Sequence, residues 1–245
     1  MSHSKLVIQD GAYLISDAHY GVSRPELLDF LKSVHKKELH PTQIIFMGDI
    51  FDALFGGVQK TIDENKLVVD LINDISLYIE VIYLEGNHDF NLKNVFKNST
   101  IYPISMHPVE CTIGDKKLYL AHGDFVGNTT YNIYTSLIRN PITLFILNFM
   151  NALFNNFILK NLDNHLSKKN DCTNIKNFNN IISLRVENKF DCDYFVEGHF
   201  HQNKWIDFTE FKYFNLAAFA CNQRYFIVEL SKEELLVEKI FSKEK

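Results

Sequence analysis

The chain has 245 residues, of which 46% are hydrophobic and 22% charged, with only 10 Gly and 5 Pro. Such a composition excludes a disordered or fibrous chain and fits one large domain, or one domain carrying a sizeable insertion. The net charge is −5, from 25 Lys and Arg against 30 Asp and Glu, so a nucleic-acid partner held on a broad basic surface is not expected.

The first ten residues carry no apolar core of signal-peptide length, and the apolar run Tyr13–Ile15 is too short to supply one, which predicts a cytoplasmic chain. That run ends at Ser16-Asp17 and reads as a buried strand. Ser23 followed by Glu26 predicts a capping box, after which Leu27, Leu28, Leu31 and Val34 recur at helical spacing. A second strand is predicted at 44–47, running into Gly48-Asp49. A second helix follows over about 60–77, with Leu67, Leu71 and Ile75 on one face, and a third strand at 81–84 runs into Glu85-Gly86-Asn87. Strand–helix–strand alternation of this kind implies an α/β layer architecture. Residues 109–121 read as a hairpin turning at Gly114-Asp115, with 118–121 leading into His122-Gly123-Asp124. Further strands are predicted at 194–196, before Glu197-Gly198-His199, and at 205–208, 211–216 and 225–230. The sheet is therefore expected to be mixed, either single or doubled into a sandwich. Cys111, Cys172, Cys192 and Cys221 form no C-x-x-C pair and are expected to be four reduced thiols.

Polar clusters close the predicted strands, at the edge where α/β sheets bind their ligands. They are Asp17 and His19 in D-A-H, Asp49 in G-D-I-F-D, Asn87 in G-N-H-D, His122 in H-G-D, and His199 with His201 in G-H-F-H. Each tripeptide alone is a weak signal, but five in series point to a pair of divalent ions. Such ions, roughly 3.5–4 Å apart, need a shared oxygen ligand, which Asp49 can supply. One ion would take Asp17, His19 and His201, and the other Asn87, His122 and His199. Mixed imidazole, amide and carboxylate donors suit Mn²⁺, with Fe²⁺ or Zn²⁺ as alternatives, and the lack of thiolate argues against a structural zinc. Two such ions attract phosphate even on an acidic protein. His88 would face the substrate as hydrogen-bond or proton donor with Asp89 orienting its ring, or would merely support the loop. Asp52 and Asp124 are expected behind the ligands or in turns. His3, His35, His40, His107 and His165 are expected at the surface or in caps.

The order D-x-H, G-D-x-x-D, G-N-H-D, H-G-D, G-H-x-H, running from Asp17 to His201, resembles the calcineurin-like metallophosphoesterases. The resemblance implies a four-layered α/β/β/α sandwich carrying a binuclear metal site. Within that superfamily the spacing most resembles the UDP-2,3-diacylglucosamine hydrolases of the lipid A pathway. These cleave a pyrophosphate to give UMP and 2,3-diacylglucosamine 1-phosphate, usually with Mn²⁺. The resemblance also implies a substrate site of Asn87, His88 and His199 with lid residues Ser167, Lys168 (or Lys176) and Asn170 (or Asn174). This sequence departs from that pattern in having His88 where Arg is usual and Thr130 where Asp is usual. It also has Glu197 and Gln202 at the ends of the last motif, where His and Arg are usual.

About 75 residues separate H-G-D from G-H-F-H, and residues 140–159 among them carry no charge. Twenty residues at ~1.5 Å each would almost cross a bilayer, but Asn148, Asn151 and Asn155 draw a polar stripe that is costly in hydrocarbon. An amphipathic helix is expected instead, with a helix buried in the core as the alternative. One domain spanning 1–245 with a helical lid insertion at 126–190 follows. The lid would hold acyl chains or dip into the inner-membrane surface, making the protein peripherally associated. A soluble nucleotide, phosphodiester or phosphoprotein is the rival substrate class, and a non-catalytic scaffold the rival of another kind.

Overall fold

The computed structural model describes residues 6–125, 129–154, 156–157, 159–161, 172–231 and 235–242. Two six-stranded sheets dominate it. The first runs β14(Leu236–Ile240), β13(Arg224–Val228), β2(Tyr13–Ile15), β3(Gln43–Phe46), β5(Glu80–Leu84), β7(Thr100–Tyr102). Its strands β2, β3, β5 and β7 are parallel, while β13 and β14 add an antiparallel edge. The second runs β1(Leu6–Ile8), β8(Val109–Ile113), β9(Lys116–Ala121), β10(Tyr194–Glu197), β12(Lys212–Asn215), β11(Lys204–Asp207). A short parallel pair, β4(Leu54–Phe55) and β6(Asp89–Phe90), stands apart.

Side-chain alternation along each strand explains the layering. Tyr13, Ile15, Ile44, Phe46, Val81 and Tyr83 point to one side and pack with Phe30, Leu31, Val68 and Ile72. These last come from helices α1(Glu26–His35) and α3(Lys66–Ile75). Leu14, Ile45, Ile82 and Leu84 point the other way and meet Leu118, Leu120, Val196 and Phe214 of the second sheet. On that sheet's far side Phe195 and Tyr213 pack against Phe178, Ile182 and Val186. Helix, sheet, sheet and helix thus form the four layers implied by the resemblance.

Several local expectations need correction. Helix α1 begins after Pro25 with no side-chain cap, so Ser23 and Glu26 form no capping box; proline's preset φ starts the helix instead. The expected helix over 60–77 is two, α2(Gln59–Glu64) and α3, because Asn65 breaks it and donates its amide to the carbonyls of Thr61 and Ala53. Cys172 and Cys221 are joined in a disulfide, leaving only Cys111 and Cys192 as the thiols expected. Spacing along the chain could not show that residues 49 apart meet.

The segment after H-G-D holds three described helices, α4(Thr129–Arg139), α5(Pro141–Leu153) and α6(Phe178–Val186). Helix α6 is the fourth layer of the sandwich, since Phe178, Ile182 and Val186 are its buried face. Helix α5 starts at Asn140, whose side chain accepts from the Ile142 and Thr143 amides, with Pro141 in the first turn. Its inner side is Leu144 and the 3%-exposed Asn151, while Ile142, Phe145, Phe149 and Leu153 face outward, Phe145 at 72% exposure. Of the polar stripe Asn151 is turned in, where it bonds the Asn156 side chain and the Leu159 amide, while Asn148 is half-buried. No helix among the described residues is long and apolar enough to cross a membrane. Asn155 lies outside the described residues.

Phe30 is fully buried and edge-on to Phe219, Tyr225 and Phe241. Phe30→Ala should cost about 3–5 kcal/mol of stability, read as a lower urea midpoint with an unchanged slope.

Candidate metal centre

Strand register brings the motifs together. In the first sheet Ile15 lies opposite Phe46 and Phe46 opposite Tyr83, so the loops after β2, β3 and β5 leave at one level. In the second, Ala121 lies opposite Glu197, placing His122 beside Gly198. Every motif residue therefore emerges at a carboxyl end, where the two sheets face one another. The loops are tightly bent: Asp17, His19, Asp49, His199 and His201 all have positive φ, between 45° and 64°. Such backbone is costly for residues with a Cβ and collects at functional sites. Gly48, at φ 90°, passes so close that a Cβ would meet His122 Nδ1 at 2.5 Å.

Three overlapping clusters result, each with donor atoms within 4.8 Å of one another: Asp17, His19 and His201; His19, Asp49 and His88; and Asp49, His122 and His199. Asp49 Oδ2 lies 3.4 Å from His122 Nε2 and 4.0 Å from His88 Nε2. His201 Nε2 is 3.1 Å from Asp17 Oδ1, and Asn87 Oδ1 is 3.4 Å from His122 Nε2. The seven expected ligands thus converge, and His88 stands among them.

Hydrogen bonds behind the rings fix their orientation. His122 Nδ1 lies 2.9 Å from the Met47 carbonyl, which can only accept, so Nε2 is left free to face Asp49. His88 Nδ1 is likewise 2.9 Å from the Asp52 carbonyl. Asp89 does not orient His88, contrary to expectation. Its carboxylate accepts the amides of Asp49, Ile50, Phe51 and Gly86 and the Tyr83 hydroxyl, and so holds the G-D and G-N-H-D loops together. Asp52 sits between His19 Nδ1, at 3.5 Å, and Arg24, at 3.3 Å.

Two of the arginines come from the long segment. Arg139, closing α4, places Nη2 2.9 Å from the Gly86 carbonyl and 3.5 Å from Asp124. Arg185 of α6 pairs with buried Glu197 at 2.7 Å and donates to the Gly123 carbonyl, also at 2.7 Å. His107, expected at the surface or in a cap, follows the turn Ile104–Met106 as its C-cap and accepts the His122 amide at its Nδ1. None of these three stands in a recognisable motif, and only tertiary contact reveals them. Ser167, Lys168, Asn170 and His165 lie outside the described residues, as does His3.

Burial opposes the charge on Asp49, yet His122 and then His88 outweigh it and hold the carboxyl well below the usual carboxylate range. Asp17 is also held low, by His201 against the cost of burial. The His122 ring is pushed well above its ordinary value because Asp49 overcomes the effect of burial. His199, by contrast, is held down to about 4 by burial and by His122, and is neutral as a ligand must be. A divalent cation fits this donor set. Both ring nitrogens of His19 are buried without a hydrogen-bond partner, and metal ligation would satisfy one of them. The mixture of imidazole, carboxylate and amide oxygen suits Mn²⁺, Fe²⁺ or Zn²⁺.

The calcineurin-like phosphoesterase family model matches residues 12–203, which contain every one of these candidate ligands. The chain belongs to that family. Among curated relatives, the UDP-2,3-diacylglucosamine hydrolase of Haemophilus influenzae is 30% identical over 119 residues, 46% of this chain and 48% of that protein. The enzyme of that name from Chromohalobacter salexigens is 26% identical over 132 residues, 52% and 53% of the two chains. These matches span about half the length of either relative. A Vibrio atlanticus enzyme of the same name matches more broadly, at 21% identity over 78% of this chain and 80% of its own. Among solved structures, an archaeal phosphodiesterase covers 94% of this chain and 99% of its own at a TM-score of 0.48 and 13% identity.

Asp49→Ala and His122→Ala should each abolish metal loading and phosphoesterase turnover, measured by elemental analysis and by hydrolysis of a chromogenic phosphodiester. Full activity in either would exclude a shared-ligand centre. A pH effect follows from His107, which burial and then His122 hold down to about 3 against an ordinary 6.5. Between those values the unfolded chain binds the extra proton, so the stabilisation is complete above about pH 6.5 and is lost progressively as the pH falls toward 3. In urea titrations of the metal-free protein, wild type should lose about 1–2 kcal/mol more than His107→Asn on going from pH 7.5 to pH 5.

Proposed function

We propose that the chain is a binuclear-metal hydrolase that cleaves the pyrophosphate of UDP-2,3-diacylglucosamine, giving UMP and 2,3-diacylglucosamine 1-phosphate, at the inner-membrane surface. The observation that carries the reading is helix α5. It turns a row of large apolar side chains outward immediately after Arg139, which touches the G-N-H-D loop. An outward apolar face of that size is unusual for a soluble surface, and acyl chains are the part of this substrate that would need it. The names of the curated relatives support the same substrate.

In this reading Asp17, His19 and His201 hold one ion, Asn87, His122 and His199 the other, and Asp49 serves both, with Mn²⁺ the favoured metal. When bound, such ions make hydroxide available near neutral pH and neutralise phosphoryl charge. The chain's own residues supply the rest. Asp89, by fixing the amides of Asp49 and Gly86, keeps the two loops in register. His88, its Nδ1 proton engaged by the Asp52 carbonyl, presents Nε2 toward the site, and as the doubly protonated ring it donates from Nε2 a hydrogen bond to the phosphoryl group or a proton to the leaving oxygen. Together with Asn87 and His199, the lid residues Ser167, Lys168 and Asn170 complete the substrate site, and the lid itself spans 126–190. His88 replaces the arginine of the resembled enzymes, so charge neutralisation here rests more on the ions.

Incubation with Mn²⁺ and UDP-2,3-diacylglucosamine in mixed micelles should release UMP, detected by chromatography. The double variant Phe145→Ser, Phe149→Ser should lower the ratio of lipid turnover to small-diester turnover about tenfold. Diester hydrolysis with no UMP from the lipid would transfer the reading to a soluble nucleotide, phosphodiester or phosphoprotein substrate.

A further inference from the structure

The segment between H-G-D and G-H-F-H is stitched to the metal-ligand loops by its two arginines. Arg139 donates to the carbonyl of Gly86, the residue before Asn87. Its own carbonyl accepts from the side chain of Asn91, so the α4–α5 junction grips the G-N-H-D loop from both ends. The guanidinium also lies 5.4 Å from the Phe90 ring. Arg185 donates to the carbonyl of Gly123, the residue after His122, and its guanidinium stands 4.7 Å from the ring of Phe200, the neighbour of His199. Asn87, His122 and His199, the ligands of one ion in the reading above, thus each adjoin a residue in contact with one of these arginines. Asp17 and His19 do not: the arginine near them is Arg24, acting through Asp52 from the adjoining loop. His201, on the other side of Phe200, shares the Arg185 contact, so it is Arg139, at Gly86, whose contact falls beside a ligand of one ion alone.

Resting on that two-ion reading, we propose that Arg139 is a positioning residue through which the seating of α4 and α5 sets the affinity of the ion held by Asn87, His122 and His199. Charge-assisted hydrogen bonds to a backbone carbonyl are strong and directional, and the carbonyl held belongs to the peptide that carries the Asn87 amide nitrogen. When α4 is seated, the Gly86-Asn87 peptide is held where Asn87 faces His122. When it is not, a ligand contributed by a flexible loop must be ordered by the ion itself, and affinity falls. The link is reciprocal: an ion at this position favours the seated helices as much as the seated helices favour the ion. Anything that engages the apolar face of α5 then acts on the metal centre through Asn140 and Arg139, without touching a ligand.

The test is Mn²⁺ titration of the full chain followed by electron paramagnetic resonance, with chymotrypsin digestion as a second readout. Phe145 and Phe149 are exposed cleavage sites on α5. Arg139→Gln should weaken the second Mn²⁺ roughly tenfold, the effect of losing one charge-assisted hydrogen bond, and leave the first unchanged. Wild type should show Mn²⁺-dependent protection of α5, and Arg139→Gln should abolish it. Arg139→Lys, which keeps the charge, should restore part of both. Arg224→Gln, which breaks the 2.8 Å pair with Glu238 on the β13–β14 edge, controls for a general loss of stability. Wild-type affinity for both ions with protection retained in Arg139→Gln would overturn the proposal, as would equal weakening of both ions in the Arg139 and Arg224 variants. A wild-type chain that takes up no Mn²⁺ would instead overturn the two-ion reading itself.

Discussion

A buried carboxylate that must stay charged organises this molecule. Asp49 lies where the two sheets face each other, accepting the His88 amide at 2.8 Å and flanked by the His122 and His88 rings. An isolated anion in such a place would protonate or move. Here imidazoles surround it, and its loop is tied down by Asp89, itself buried and pushed up to about 7 by burial and by the Asp49 charge. The two neighbouring acids are driven in opposite directions, which favours the negative charge on Asp49, the candidate shared ligand.

The backbone bears part of the cost. Five of the expected ligands adopt left-handed φ values, which residues with side chains adopt only where surroundings insist. The insistence comes from the sheets. Strand ends held in register by β2, β3 and β5 on one side and β9 and β10 on the other give each loop two fixed anchors, such as the 3.1 Å bond from the Asp17 amide to the Gly48 carbonyl. A rigid double sheet is thus a frame in which strained loops persist, and the twisted loops aim side chains that straight ones would carry past one another.

Much of this was legible in the sequence, and the limit of legibility has a physical form. Strands announced themselves by short apolar runs ending in Gly, Asp or His, because burial on both faces demands continuous apolarity and the turn beyond demands those residues. The ligand motifs were legible for the same reason: each is local, closing its own strand. What escaped were the contacts between distant residues that lie outside those motifs. Arg139 reaches a carbonyl 53 positions earlier and Arg185 one 62 positions earlier. Asp89, next to His88 in sequence, turned out to serve amides 38 to 40 positions away rather than its neighbour. Local capping signals failed where a stronger local effect intervened, as Pro25 did at the start of α1. The polar stripe of 140–159 was readable, but the side of the helix that would meet the protein was not.

That orientation has a consequence for how the segment tolerates change in length. Asn151 holds α5 by an amide network with Asn156 and Leu159, and Leu144 packs on the Val58 and Phe90 cluster. Successive residues on a helix are displaced by about 100°, so one added or deleted residue between Leu144 and Asn151 would swing these two anchors out of alignment. A phenylalanine would be carried under the helix and an asparagine into the open. Substitutions along the outer face change only its greasiness, but an insertion or deletion would rotate the helix by about a quarter turn and break up both its anchored side and its apolar exterior. The length of this stretch is therefore under tighter constraint than its composition.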